Sequence, residues 1–514
     1  MHRTVLGMIL GFAVCLAEAG TAKEGNETLL LDKIRTALGS QQLVQENSDW
    51  LWTGTTTEFG ATESFRMQFD GEGRFFRETE GTMGTSSRYD GNRGTSVDWS
   101  GMPIPLELST LEREQLEAWI LTGTWLADST LLELVETGDD PTSNETTYVL
   151  KPTGGTLQIR LVVDRETSLP SRFESNGPAG PVVHQLMNYQ EFDGVRFPTQ
   201  IERRIGEHIE RVVKLDVAVR VETDRSRALY AMTPPRPKNS EFSAPFGEVP
   251  IRIAPTGHVL VQPRVDGELG SWFIFDTGAG NSGISTSSPS AESMEKIGTG
   301  IVASIFGTEE NPIFQGRSLE LGPIRLRTPK FFSMDLGPLT DVFAEPVGGI
   351  IGFDVLSRCV VELDLSEQRL TLHDPESFEL KDGAWQELWL QDNHPIVKAE
   401  FDGHAGLFRL DVGAAGGPHG NVVFHEPTVR RLGLTDESSS ETFQLGNQNV
   451  AQGTVQSLTL AGRTFEAMDV VFAVDKIGLF SDAHTAGNIG VGILQSFRIV
   501  LDYPHKRIAL IEKP

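Results

Sequence analysis

Two aspartates, each placed at the end of an apolar stretch and before a short glycine turn, have the clearest chemical potential in this chain. Residues 272–278 read WFIFDTG and residues 407–413 read LFRLDVG, which places Asp276 and Asp411 at equivalent points. A carboxylate at the end of a buried strand is costly unless it is hydrogen-bonded or used. Two carboxylates that lie close together share one proton, so one can act as a base and the other as an acid on water. The sequence leaves open which aspartate takes which role.

An internal repeat positions the two aspartates. Residues 265–279 and 401–414 both contain an Asp-Gly turn, a glycine, an apolar strand and then Asp-x-Gly-Ala. The aspartates are 411 − 276 = 135 residues apart, and two later aspartates that close each copy are 502 − 364 = 138 residues apart. Such matched spacing predicts two lobes of one design, residues 250–375 and 394–513.

The C-terminal half resembles the retropepsin-like aspartic proteases, with both lobes fused in one chain. The resemblance rests on the apolar strand before Asp-Thr-Gly-Ala at 276–279, a glycine-rich middle, and Gly-Ile-Ile-Gly at 349–352 before a last strand. It implies a bilobal all-β domain that hydrolyses peptide bonds with an activated water. It also implies no cofactor and no metal, and a peptide or protein as the substrate. Because both lobes lie in one chain, we expect a monomer.

The resemblance assigns roles to the residues of the two turns. It implies that Asp276 and Asp411 are the catalytic pair. Gly278 and Gly413 would let the backbone pass close to the carboxylates and offer them amide donors. Thr277 would hydrogen-bond across to the other lobe and support the loop.

The second turn departs from the family pattern at Val412. The residue lacks the hydroxyl that would cross back to the first lobe. Valine is nearly isosteric with threonine, so packing survives with the loss of one buried hydrogen bond, or ~1 kcal/mol. Two interpretations remain open. The protein is either an exported aspartic endopeptidase with uneven support, or a protease-fold binding protein that carries a peptide or a lipid without turnover.

A candidate flap follows the first aspartate. Residues 288–292 predict the start of a helix that ends near Gly298. Residues 299–307, with glycines near both ends, then predict a hairpin that could cover a substrate, although a plain surface hairpin would look the same. The candidate flap residues are Gly300, Ile301, Ile305 and Gly307. Residues 446–449 occupy the matching place in the second lobe and are more polar.

The N-terminal half, residues 25–232, shows short alternating segments separated by glycine, aspartate and asparagine turns. The pattern predicts an antiparallel sheet with one face in solvent, together with helices near 28–39 and 111–126. The turns at 163–170 and 192–198 resemble those of periplasmic lipoprotein-carrier-like domains, which are curved half-barrels. Any antiparallel sheet would use similar turns, so both interpretations stay open.

The remaining segments predict processing and connection. Residues 1–22 have a short basic start, a brief apolar run and small residues for cleavage, which is typical of an export signal. We therefore expect a periplasmic or secreted protein without a transmembrane segment in its mature form, although Cys15 raises the alternative of lipid attachment. Residues 233–249 are rich in proline and predict a linker, and residues 376–393 connect the lobes.

Charge and the absence of other motifs narrow the function further. A formal charge of −27 disfavours binding to nucleic acid. His425-Glu426 lacks the second histidine of a zinc helix, and the histidines are predicted to lie mostly at the surface. Ser282 does not fit a nucleophile elbow. Cys359, in an apolar run, is predicted to be a small buried hydrophobe.

Overall fold

The computed structural model describes residues 31–513, apart from residues 46–47, 129, 140–141, 306 and 436–441. The chain is mostly β, with large antiparallel sheets and few helices, as predicted. The predicted export signal and Cys15 lie outside the described residues. No helix among the described residues is long and apolar enough to cross a membrane.

The N-terminal half forms one sheet of thirteen described strands. Its strands are β1 Ser48–Glu58, β2 Ala61–Phe69, β3 Phe75–Glu80, β4 Ser86–Tyr89, β5 Gly94–Val97, β6 Pro103–Leu106, β7 Leu132–Asp139, β8 Glu145–Pro152, β9 Ile159–Asp164, β10 Pro170–Gly177, β11 Gly180–Phe192, β12 Val195–Ile205 and β13 His208–Glu222. All pair antiparallel, in the order β6-β5-β4-β3-β2-β1-β13-β12-β11-β10-β9-β8-β7. The chain therefore runs from the centre to one edge, crosses over, and returns from the other edge.

Two helices, Leu108–Thr122 and Thr124–Ala127, lie between β6 and β7 and form that crossover. The helices of this half are α1 at 31–38, the 3-10 helix η1 Ser40–Gln42, α2 Leu108–Thr122, α3 Thr124–Ala127 and α4 Thr223–Ala231. Leu116, Trp119 and Ile120 of α2 are buried in one cluster with sheet residues such as Trp52 and Phe197. The apolar side of α2 thus covers one face of the sheet and completes its core.

The C-terminal half contains the strands of both predicted lobes, two strands within the predicted linker 233–249, and two within the predicted connection 376–393. Up to residue 373 they are β14 Ser240–Phe242, β15 Phe246–Val249, β16 Ile251–Ile253, β17 Val259–Val261, β18 Arg264–Val265, β19 Glu268–Leu269, β20 Trp272–Phe275, β21 Gly283–Ser285, β22 Glu295–Ser304, β23 Gly307–Gln315, β24 Ser318–Leu321, β25 Ile324–Arg327, β26 Lys330–Met334, β27 Val347–Ile351, β28 Val360–Asp364 and β29 Arg369–His373. Beyond residue 373 they are β30 Gln386–Glu387, β31 Trp389–Gln391, β32 His394–Phe401, β33 His404–Leu410, β34 Val422–Phe424, β35 Thr442–Leu445, β36 Gln448–Leu460, β37 Arg463–Ala473, β38 Gly487–Ile489, β39 Phe497–Asp502 and β40 Arg507–Glu512. The helices are short: α5 Pro289–Glu292, α6 Gly337–Phe343, α7 Phe353–Leu356, η2 Pro418–Gly420, α8 Glu426–Leu432, α9 Val491–Leu494 and η3 Tyr503–His505.

Each lobe builds an eight-stranded sheet with the same strand order. The first is β16-β17-β20-β27-β21-β26-β23-β22 and the second is β31-β32-β33-β38-β34-β37-β36-β35. The parallel pairs fall at matching places, β20 with β27 and β21 with β26 in the first lobe, and β33 with β38 and β34 with β37 in the second. The repeat read from the sequence therefore corresponds to one topology used twice.

A six-stranded sheet joins the lobes, in the order β15-β29-β28-β39-β40-β30. At its centre β28 and β39, the closing strands of the two lobes, pair antiparallel. A second sheet of the first lobe, β14-β25-β24-β18-β19, lies beside it. Phe275, Ile351, Leu410 and Ile489 share one buried cluster that spans both lobes. The strands that lead to Asp276 and Asp411 are therefore anchored in a common core.

Candidate active site

Asp276 and Asp411 directly follow the equivalent strands β20 and β33. The N–H of Asp276 donates to the carbonyl of Ile351 at 3.1 Å, and the N–H of Asp411 donates to the carbonyl of Ile489 at 2.9 Å. Each bond extends a parallel strand pair by one residue. The sheet thus fixes both backbones before the turns begin.

The two glycine turns cross, so that each approaches the other lobe's carboxyl group. The N–H of Gly278 donates to Oδ1 of Asp276 at 2.6 Å, and that of Gly413 donates to Oδ1 of Asp411 at 3.0 Å. A Cβ on Gly278 would lie 2.5 Å from Oδ1 of Asp411, and a Cβ on Gly413 would overlap the Asp276 carboxyl. No side chain fits at either place, so only glycine lets the two carboxyls lie next to each other.

Thr277 supports the crossing from one side only. Its hydroxyl donates to the carbonyl of Leu410 at 2.8 Å and accepts from the N–H of Val412 at 3.0 Å. Val412 is buried at the symmetric position and has no hydroxyl to return these bonds. The support predicted for Thr277 is present, and so is the asymmetry.

The environment raises the pKa of both carboxyl groups. Burial and then the nearby charge of Asp411 raise the pKa of Asp276 to about 8. Burial also raises the pKa of Asp411, although Arg409, the amides of Gly413 and Ala414, and Asn488 act in the opposite direction. Because Arg409 and Asn488 favour the charged form of Asp411, we assign the shared proton to Asp276 and the negative charge to Asp411.

A buried hydrogen-bond chain leads from Asp411 into the second lobe. Nδ2 of Asn488 donates to Oδ2 of Asp411 at 3.3 Å, and Oδ1 of Asn488 lies 3.0 Å from Nε2 of His425. Nδ1 of His425 lies 3.0 Å from the hydroxyl of Thr485, which donates to Asp482 at 2.5 Å. His425 and Thr485 are fully buried. The prediction of surface histidines is wrong for His425, because its ring sits between two buried polar partners.

The same series of hydrogen bonds continues to the N-terminal half. The N–H of His484 donates to Asp482 at 3.1 Å, and its Nε2 lies 3.0 Å from Oε1 of Glu112 on α2. Burial opposes the charged form of His484, but hydrogen bonds to Asp482 and Glu112 raise its pKa to about 9. A continuous set of polar contacts therefore joins Asp411 to helix α2.

Sequence reasoning did not single out Asn488, and it considered His425 only as part of a zinc helix. A signal was nevertheless present, because Gly-Asn-Ile at 487–489 occupies the place of Gly-Ile-Ile at 349–351 in the repeat. A polar residue in an apolar strand needs a partner when it is buried. The equivalent of Asn488 in the first lobe is Ile350, which cannot donate to Asp276.

The segment at the start of β32 contacts the glycine turn that follows Asp276. Nδ2 of Asn393 donates to the carbonyl of Gly280 at 3.1 Å, and Nε2 of His394 lies 2.9 Å from the carbonyl of Gly278. The neighbouring Asp392 pairs with Arg113 of α2 at 2.7 Å. Residues of the predicted connection thus brace the turn after Asp276, which sequence reasoning missed.

The candidate flap is a longer hairpin than predicted. The helix expected to end near Gly298 ends at Glu292, because β22 starts at Glu295 and pairs through Gly298 with β23. Gly300 and Ile301 lie within β22, and Gly307 begins the return strand β23. The predicted hairpin therefore covers only the outgoing strand and the turn.

The tips of the two hairpins meet. The N–H of Asn447, in the β35–β36 turn of the second lobe, donates to the carbonyl of Ile305 at 2.6 Å. Ile305 packs against a buried cluster of the second lobe that includes Val423 and Val471. The hydrogen bond from Asn447 and the apolar side chain of Ile305 thus hold the first lobe's hairpin against the second lobe.

The N-terminal half also holds this hairpin. The carbonyl of Phe59, in the β1–β2 turn, accepts from the N–H of Thr299 at 2.9 Å. On the return strand, the hydroxyl of Thr308 donates to the carbonyl of Ala179 at 3.0 Å. The candidate flap is therefore fixed on both of its strands by turns of the N-terminal sheet.

Other residues considered in the sequence have structural surroundings. Ser282 is fully buried, and its hydroxyl donates to Asp354 at 2.7 Å. Cys359 is fully buried, and burial raises the pKa of its thiol to about 12. Among the described residues, no group of three or more histidine, cysteine, aspartate or glutamate side chains is arranged to hold a metal ion.

No protein-family model and no curated protein matches this chain. Basic 7S globulin from soybean has a similar structure over 52% of this chain and 94% of its own, at 8% identity and a TM-score of 0.33. A retropepsin-like aspartic protease from Rickettsia conorii is similar over 26% of this chain and 96% of its own, at 15% identity and a TM-score of 0.19. A DUF1329 family protein from Desulfovibrio piger ATCC 29098 is similar over 36% of this chain and 91% of its own, at 12% identity and a TM-score of 0.25. The solved structures similar to this chain thus include a retropepsin-like aspartic protease, but at these TM-scores the similarities support no functional argument.

Proposed function

We propose that this protein is an aspartic endopeptidase in which Asp276 and Asp411 activate water for attack on a peptide bond. The observation that carries the proposal is the crossing of the two turns, which brings each aspartate against the glycine of the other lobe. A surface aspartate at a strand end would need no such arrangement. Two adjacent carboxyls with raised pKa values suit chemistry that needs one acid and one base.

The two carboxyls take complementary roles in the first step. A water molecule between them gives a proton to the carboxylate of Asp411 as its oxygen attacks the scissile carbonyl carbon. Asp276 gives its proton to the carbonyl oxygen, which becomes a hydroxyl. The product is a tetrahedral diol, Asp411 is now protonated, and Asp276 is charged.

The second step returns both groups to their starting state. Asp411 donates its proton to the amide nitrogen, and the carbon–nitrogen bond breaks. The charged Asp276 takes a proton from one diol hydroxyl, so that a carboxylic acid and an amine leave. No covalent intermediate forms, and no cofactor or metal is required by this sequence of proton transfers.

The substrate in this proposal is a peptide or protein segment bound between the lobes under the β22–β23 hairpin. The tip contact between Ile305 and Asn447 would have to open for a chain to enter. We further propose that the protein is exported and monomeric, with residues 25–232 as one domain and residues 250–375 and 394–513 as the two lobes of a second. The export-signal pattern and the fused lobes support these points.

Cleavage of a quenched fluorescent peptide library by the purified protein, from acid to neutral pH, tests the proposal. We expect turnover by the wild type and a loss of at least a hundredfold in Asp276→Asn and in Asp411→Asn. Asp335→Asn is the matched control, since Asp335 is also followed by x-Gly but is not part of the repeated Asp-x-Gly-Ala motif. Equal turnover in the wild type and both dyad variants would contradict the assignment.

A binding protein without turnover is the second candidate, and Val412 is the observation that favours it. The missing hydroxyl leaves the second turn with less support than the first. In that case the wild type would bind peptides without cleaving them, and the two Asn variants would bind equally well. Inhibition of cleavage by a pepstatin-like compound would favour the enzyme.

A further inference from the structure

A polar cavity lies inside the N-terminal half, between the sheet and helix α2. Its volume is 210 Å³. Most of its wall comes from strands β1 to β6, and Glu114 of α2 and Arg211 of β13 close one side. Sites for drug-sized ligands measure roughly 300–1,000 Å³, so this cavity suits a smaller molecule.

Three of the four charged residues that line the cavity, Arg77, Glu114 and Arg211, are held in ion pairs, and the fourth, Asp98, accepts hydrogen bonds from the N–H and the hydroxyl of Ser100. Arg77 pairs with Glu114 at 2.8 Å and with Glu117 at 2.5 Å. Arg211 also pairs with Glu117. Both cations that line the cavity are thus engaged by carboxylates, and a charged ligand would have to break one of these pairs. The arrangement favours an uncharged ligand.

Hydroxyl groups dominate the rest of the wall. The serine and threonine residues that line it are Thr56, Thr79, Thr85, Ser86, Ser87 and Ser96. A hydroxyl can both donate and accept, which suits a ligand that carries hydroxyls of its own. Phe65, Val97 and Ile104 supply apolar surface for the carbon–hydrogen face of such a ligand.

Two of these hydroxyls are buried and have no partner. Thr56 is 1% exposed and Ser87 is 4% exposed, and neither hydroxyl has a hydrogen-bond partner within the described part of the chain. The hydroxyls of Thr79 and Thr85, by contrast, lie 3.3 Å from each other. Buried polar groups are almost always paired, so two unpaired hydroxyls on side chains that line one cavity indicate a missing partner.

We propose that this cavity binds a neutral polyhydroxylated molecule of monosaccharide size, with Thr56 and Ser87 as hydrogen-bonding residues. An acyl chain would leave the hydroxyls unpaired, and an anion would compete with Glu114 and Glu117 for the arginines. The site is separate from the aspartate pair and does not depend on peptide cleavage. Asn393 lies at its edge and also holds Gly280 of the glycine turn that follows Asp276.

Titration calorimetry of the full chain with glucose, galactose and N-acetylglucosamine tests this proposal. We expect saturable binding of at least one sugar, weakened tenfold or more in Thr56→Val and in Ser87→Ala. Thr57→Val is the matched control, because Thr57 is next to Thr56 but its hydroxyl bonds Thr62 outside the cavity. Asp276→Asn should bind as the wild type does, which separates this site from the proposed catalysis.

Several results would overturn the proposal. They are the absence of binding by all three sugars, equal binding by the wild type and both cavity variants, or displacement of the sugar by oleate or inorganic phosphate. Thermal unfolding of each variant shows whether it is folded. If Thr56→Val or Ser87→Ala does not fold, Ser96→Leu narrows the same cavity from β5 and should weaken binding in its place.

Discussion

The two lobes share one strand order but support their aspartates differently. In the first lobe, Thr277 makes two hydrogen bonds to the opposite turn, while Val412 in the second lobe makes no such bond through its side chain. The second lobe instead supplies Asn488, which donates to its own Asp411, where the first lobe has Ile350. The first lobe therefore stabilises the turn of its partner, and the second stabilises the charge on its own carboxylate.

The comparison indicates which features a duplicated fold fixes and which it leaves free. The strand order fixes where each strand ends and its glycine turn begins. The lack of a side chain on Gly278 and Gly413 fixes how closely the two turns approach each other. Side chains at equivalent positions then decide which carboxyl is more easily ionised. Two lobes of the same topology can thus hold two carboxyl groups that ionise unequally. In this assignment Asp276 keeps the proton and Asp411 carries the charge.

Removing the first lobe's contribution should have the largest effect. In Thr277→Val, the carbonyl of Leu410 and the N–H of Val412 lose their partner in a buried place. Two unpaired buried groups cost about 2–5 kcal/mol of unfolding free energy in total. Urea unfolding measures this loss, and we expect peptide turnover to fall more than tenfold. Thr277→Ser keeps the hydroxyl, so its unfolding free energy should stay close to that of the wild type. Equal unfolding free energies for Thr277→Val and Thr277→Ser would refute the role of Thr277.

The raised pKa of Asp276 predicts a pH-dependent stability. The folded protein holds a proton up to about pH 8, whereas the unfolded chain releases it near pH 3.8. Stability is therefore lost as pH rises through this window. Asp276→Asn should equal the wild type at the acid end and exceed it increasingly toward the alkaline end. A shift of only two units would amount to about 3 kcal/mol.

Unfolding of the wild type and Asp276→Asn in urea, repeated across this pH window, measures the difference. Asp335→Asn serves as the control for an exposed carboxyl that is not part of the repeated motif. A constant stability difference at all pH values would mean that Asp276 titrates alike in the folded and unfolded chains.

The second lobe's contribution should appear as a shift in the pH profile of cleavage. Asn488→Leu removes a donor to the Asp411 carboxylate, so the pKa of Asp411 should rise. A hydrogen bond to a charged group is worth roughly 1.5–3 kcal/mol, which corresponds to about one to two pH units. The acid limb of the rate profile should move upward by that amount. Ile350→Val, at the equivalent place in the first lobe, should leave both limbs in place.

Restoring the missing hydroxyl should have the smallest effect. Val412→Thr gives the second turn the side chain that the first turn has. One added buried hydrogen bond would raise the unfolding free energy by about 0.5–1.5 kcal/mol. Thermal unfolding against the wild type measures it, with Val423→Thr, a buried valine on β34, as the control that gains no partner. A less stable Val412→Thr would show that the second turn is built for an apolar residue.

The sequence was sufficient to predict the mostly β fold and the pairing of Asp276 with Asp411. Both follow from local patterns, since alternating residues indicate strands and a repeat at fixed spacing indicates equivalent positions. The role of Thr277 was implied by the resemblance to the retropepsin-like aspartic proteases. The asymmetry at Val412 appears where the second copy of the repeat departs from that family pattern.

Contacts between distant segments could not be predicted from such patterns. The series of hydrogen bonds from Asp411 through Asn488 to His425 joins residues that are far apart in sequence, and only the folded sheet brings them together. The short α5 shows a different limit. Its proline and serine start a helix, but pairing of β22 with β23 takes over at Glu295, so tertiary pairing overrides the local preference.

We propose that Asp276 and Asp411 form one acid–base unit, and carboxyl carbon-13 NMR titration tests this most directly. Aspartate labelled at the side-chain carboxyl, followed in the wild type, Asp276→Asn and Asp411→Asn, assigns both signals. We predict that Asp276 titrates near pH 8 in the wild type. In Asp411→Asn its pKa should fall, because the neighbouring negative charge is gone. Independent titration of both groups near their ordinary values, unchanged by either substitution, would contradict the account.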